Sequence, residues 1–109
     1  MRTYLRYLAD DLQTIGFPPA ATSHANTGVQ VFINDDIHVA IATETGHITI
    51  ARLHPGASDI VWDLDYGKRH PVLTGRSTAA WEMRTDTDTP APVLLAVVRE
   101  AHTLRRLAA

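Results

Sequence analysis

Asp63 and Asp65 stand two residues apart in DIVWDLDY, and Asp86 and Asp88 repeat that spacing in TDTDT. On a strand, residues i and i+2 share a face, so the first pair would hold its carboxylates side by side. Two carboxylates with a nearby histidine can bind a hard divalent cation or divide acid and base roles. No EF-hand loop or H-E-x-x-H segment fixes such a geometry here. A metal-dependent hydrolase is therefore one reading. The plainer one is solvated acids on a strand and in a turn. No metal ligand is assigned, and no cofactor is expected.

The six histidines are His24, His38, His47, His54, His70 and His102. No two are four apart on a helix, the relation that would suit a zinc ion. His38 is expected beside Phe32 and Leu53, and His47 opposite Glu44 next to a turn. The chain has no cysteine, and its serines, Ser23, Ser58 and Ser77, lie outside any G-x-S-x-G segment. No glycine-rich phosphate loop is present. The sequence nominates no catalytic residue.

Basic residues gather in two places. Lys68, Arg69, His70, Arg76 and Arg84 mark the segment after residue 66, and Arg99, His102 and Arg106 stripe the last predicted helix. Interleaved with Tyr66 and Trp81, they could grip phosphates and stack on bases. Nucleic-acid binding through Lys68, Arg69, Arg76, Arg84, Arg99 and Arg106 is thus an alternative function. The formal net charge of −2 disfavours it.

The elements that must carry these groups follow from hydrophobic period. Residues 29–64 alternate: Val29, Val31, Ile33; Ile37, Val39, Ile41; Ile48, Ile50; Ile60, Trp62, Leu64. Period two predicts antiparallel strands with one apolar face. If Ile33 sits opposite Ile37, Asn34–Asp36 form a three-residue connection. A two-residue Thr45-Gly46 turn would pair Ile41 with Ile50, Thr43 with Ile48 and Ala40 with Ala51. Both hairpins then turn the same set inward. Arg52 falls inward opposite Val39, with its head in water or paired with Asp10 or Asp11.

At the ends the period changes. Met1, Leu5, Leu8, Leu12 and Ile15 predict a helix that Gly16, Phe17 and Pro18-Pro19 terminate. Leu94, Val97, Val98, Ala101, Leu104 and Ala108 predict another, with Thr89 as N-cap and Pro90 in its first turn. GKRHPVLTGRST reads as loop, and TAAWEMR as a short strand or one helical turn anchored by Trp81. The predicted fold is α+β. It is a two-layer sandwich with a four-stranded antiparallel meander, five-stranded if TAAWEMR joins. Both terminal helices pack on one face, and residues 1–109 form a single α-β-β-β-β-(short element)-α domain. This order of elements resembles that of small chaperone-like and regulatory α+β domains, a likeness of architecture that no motif carries.

The reverse face would hold Phe32, His38, Ala40, Ala42, Thr49, Ala51, Leu53 and Val61. Its centre is small and apolar, drier than a fully wet sheet face. Three uses fit: a contact surface for a second copy or another protein, a cover formed by residues 67–88, or a solvated face of small residues. The first makes the chain a non-enzymatic interaction or regulatory module, acting as a homodimer or on a protein partner.

Composition bounds the rest. At 109 residues, 45% hydrophobic and 20% charged, the chain is in the globular range. No apolar run approaches the roughly 20 residues that cross a bilayer, so no membrane association is expected. No basic segment leads to an apolar core at the start, and cysteine is lacking, so a cytoplasmic location is expected. Nine arginines against one lysine, with abundant alanine and threonine, match translation from a GC-rich genome such as an actinobacterium or its phage.

Overall fold

A computed structural model describes residues 2–21, 25–54, 60–65, 67, 69–74, 79–85 and 89–108, with helix side chains between Arg6 and Leu104. The elements run α1 (Arg2–Thr14), β1 (Val29–Asn34), β2 (Ile37–Ala42), β3 (Ile48–Leu53), β4 (Val61–Leu64), β5 (Pro71–Thr74), β6 (Ala79–Thr85) and α2 (Ala91–Ala108). The fold is α+β, with both helices on one face of an antiparallel sheet.

Helix α1 stops where its sequence says it must. Gly16 takes φ 97°, its N–H donates to Gln13 O, and Phe17 N–H donates to Leu12 O. These two bonds satisfy carbonyls of the last turn and fold buried Phe17 back under the helix. At the start of α2, Pro90 O accepts from Val93 N–H and Leu94 N–H.

The four-stranded sheet has the order β1-β2-β3-β6. Its fourth strand is β6, AAWEMRT, not the expected DIVWDLDY. β4 instead pairs with β5, part of the segment expected to be loop, in a separate two-stranded sheet. That hairpin lies on the face away from the helices. The sheet is therefore covered on both sides.

The face assignment of β1 is corrected. Asn34 pairs with Ile37, so the connection is the two-residue Asp35-Asp36, with Asp35 at φ 52°. Aspartate tolerates this left-handed conformation better than most residues. A connection one residue shorter reverses every side chain of the strand. Phe32 then joins Ile37, Val39, Ile41, Ile48 and Ile50 under Leu8, Leu12, Leu94 and Val98. Val29 and Val31 turn to the other face, with Ala40, Ala51, Leu53 and Trp62. Val31 and Trp62 thus do not share the layer of Ile41 and Ile50.

The β2–β3 register differs in another way. Val39 pairs with Ile50, Ile41 with Ile48 and His38 with Ala51. The shift from the expected register is two residues, so the faces survive. Residues 43–46 bridge the strands, with Ala42 N–H donating to His47 O. His47 therefore faces Ala42, not Glu44. Arg52 lies opposite Ile37, and its Nε donates to Asp36 Oδ2 at 3.2 Å. Asp36, in the first turn, replaces Asp10 and Asp11 as its partner.

Candidate functional site

The small-residue face is buried inside the chain itself. Ala40, Ala42, Thr49, Ala51, Leu53 and His38 are almost completely covered, and Val61 is half-buried in β4. Phe32 is buried too, but on the helical side. The cover is the β4–β5 hairpin, with Trp62 seated among Ala40, Ala51, Val31 and Leu53.

Small residues leave room for the indole, and polar ones tie the hairpin down. Trp62 Nε1 donates to His38 Nδ1 at 3.1 Å. Thr49 Oγ1 donates to Pro71 O at 2.7 Å, and Thr45 Oγ1 donates to Arg69 O at 3.2 Å. The first two satisfy groups that burial would otherwise leave unpaired, and the third is exposed.

A second cluster closes the hairpin's far end. His47 and His70 meet edge to face with centroids 4.5 Å apart. His47 Nδ1 and Thr85 Oγ1 are buried without a hydrogen-bond partner. Asp65 Oδ1 accepts from Arg69 N–H, and Asp65 N–H donates to His70 O. The Arg69 N–H, with smaller help from His70 and Arg84, holds the Asp65 carboxyl below its ordinary value. Burial pushes the His70 imidazole down, and the neighbouring His47 and Arg84 add to it. Asp63 Oδ1 accepts from Leu64 N–H, so both carboxylates of the first acidic pair shape backbone locally. Among the described residues, no three His, Asp or Glu side chains stand close enough to share an ion. Asp86 and Asp88 lie outside the described residues.

Among the described residues, Arg69, His70 and Arg84 gather around Asp65 at the end of the hairpin, and Arg99 does not join them. Arg84 is on the hairpin side of the sheet, opposite Thr49, whereas Arg99 is exposed on α2 in the helical layer. Arg69 is exposed beside the hairpin turn. Lys68 and Arg76, with Tyr66 and His24, lie outside the described residues, as does the side chain of Arg106.

What remains open is an edge. On β1, Ile33 N–H donates to Pro18 O and Ala20 N–H donates to Val31 O, so residues 18–20 pair with that edge. On β6, no described strand pairs with the outer side. Trp81 and Met83 lie on the helical side of β6, opposite Arg52 and Ile50, yet are 38% and 37% exposed. Sequence reasoning took Trp81 as an anchor and passed over Met83. Their i, i+2 spacing in a β-prone segment was the available signal. The helices expose Tyr7, Val93 and Leu104 as well.

No described helix is long and apolar enough to cross a membrane. Comparison of the chain with protein-family models, with curated proteins and with solved structures gives no match.

Proposed function

We propose that the chain is a non-enzymatic protein-interaction module, a small accessory or regulatory protein of the cytoplasm, that makes contact along the outer edge of β6. One observation carries this reading. Trp81 and Met83 are uncovered side by side on an edge strand, while the opposite edge and both faces of β1–β3 are occupied. An edge strand offers a row of backbone donors and acceptors, and side chains beside it choose the partner. Exposed aromatic and thioether side chains suit such a contact. The small-residue face, with its buried centre, serves as the seat of the β4–β5 hairpin instead.

A photo-crosslinking residue placed at Met83, and separately at Glu100 on α2, tests the reading in cells of the native host. Irradiation should give a discrete adduct from position 83 and none from position 100. No adduct at 83 would remove β6 as a contact strip.

A further inference from the structure

We infer that the occupant of the β6 edge is a second copy of this chain, paired antiparallel about a two-fold axis through Met83. The inference rests on the reading of β6 as a contact strip and adds the partner's identity.

Backbone polarity decides which residues can pair. Ala42 N–H donates to His47 O, and Leu53 N–H donates to Asp36 O, so odd-numbered residues of β3 bond toward β2. Alternation in an antiparallel ladder sends the groups of Ile48, Ile50 and Arg52 toward β6. Their partners there are Thr85, Met83 and Trp81. The N–H and C=O groups of Glu82 and Arg84 therefore point to the open edge. Two copies can meet only in registers that set even-numbered residues against even-numbered ones.

Charge then selects one register. Centred on Met83, the pairing sets Glu82 opposite Arg84 of the second copy, twice over by symmetry. Centred on Glu82 it sets two carboxylates face to face, and centred on Arg84 two guanidinium groups. Directly opposed unlike charges favour a strand pair and like charges oppose it. Glu82 and Arg84 already sit on one face, 3.7 Å apart and exposed. On the other face, Met83 meets its own copy, and Trp81 lies opposite Thr85. A register shift at Ala80 ends the regular ladder, which confines the seam to residues 81–85.

A seam this short gives a weak, concentration-dependent dimer. Sedimentation velocity from about 10 to about 500 µM should show monomer passing to dimer. Glu82→Arg alone and Arg84→Glu alone should each stay monomeric across that range. Mixed in equal amounts they should associate again, because one copy then brings two positive groups and the other two negative ones. A structural role of either charge within one chain cannot produce that rescue. The chain has no cysteine of its own, so Met83→Cys reports the register: it should cross-link to itself on mild oxidation, and Trp81→Cys should not. A wild type that remains monomeric at about 500 µM, or single-charge variants that do not associate when mixed, overturns the inference. If the crosslinker at position 83 then captures a protein of different mass, the second-copy inference fails while the contact-strip reading stands.

Discussion

Trp62 Nε1 donates to His38 Nδ1 beneath the β4–β5 hairpin, and both side chains are buried. The bond joins the smaller sheet to the larger one across a face that also holds Val31, Ala40, Thr49, Ala51 and Leu53. Acceptance at Nδ1 needs a lone pair there, so the imidazole carries any single proton on Nε2. The contact gives the buried His38 a polar partner on an otherwise largely apolar face.

Trp62→Phe should therefore cost more than the lost area. It removes the donor, leaves Nδ1 unpaired, and opens a small void, together about 2–4 kcal/mol. Urea unfolding measures the loss. Paired with His38→Leu in a double-mutant cycle, the coupling should be about 1–2 kcal/mol. Additive losses would show that the bond contributes nothing beyond packing.

Ala51→Arg distinguishes a seated hairpin from a free face. Ala51 is fully buried against Trp62, so an arginine there must displace the indole before its head can reach Glu82, across from it on β6. A loss of about 3 kcal/mol or more, with red-shifted tryptophan emission, is expected. Val93→Arg, on an exposed site of α2, should stay within about 0.5 kcal/mol of wild type. Wild-type stability in Ala51→Arg would mean that the hairpin does not cover this face.

The end of α1 and the positions of β2 and β3 were legible because their signals are local. Gly16-Phe17 and the alternation of 37–41 and 48–50 each state a conformation within a few residues. The face of β1 was not legible from alternation. VQVFIN offers apolar residues on both sides, and both sides of this sheet are covered, so hydrophobicity could not choose between Phe32 and Val31. The choice lay in whether the turn held two residues or three. The role of DIVWDLDY escaped for a different reason. Its pattern fits any half-covered strand, and only long-range pairing decides whether it joins the sheet or lies across it. The small-residue face was recognised as unusually dry, and cover from the segment after residue 66 was one of its expected uses. β5, with β4, supplies that cover.

Asp35 tests the turn directly. Its φ of 52° strains an ordinary side chain but not glycine. Asp35→Gly should leave the register intact and change stability by less than about 1 kcal/mol. Asp35→Val places a β-branched residue in the left-handed region and should cost about 1–2 kcal/mol. Equal stabilities in the two variants, measured by thermal unfolding, would argue for the longer connection.

Stability should fall in two separate steps as pH is lowered, because His70 and Asp65 are both depressed but from different ordinary values. Folded His70 binds its proton less readily than the unfolded chain does, whose value is near 6.5. Its contribution is complete above that value, declines as the unfolded chain takes up protons below it, and is gone once pH has passed the lower folded value. Asp65 acts near 3.8, where its ionised form is favoured mainly by Arg69 N–H. Its contribution is complete above 3.8 and is lost as pH falls through the lower folded value. Urea midpoints at constant ionic strength, from about pH 8 to about pH 3, would resolve the steps. His70→Gln should flatten the upper one and Asp65→Asn the lower one, each with a small effect on the other because the two groups interact. An upper step that survives His70→Gln would assign it to another histidine and detach the edge-to-face pair from the acid response.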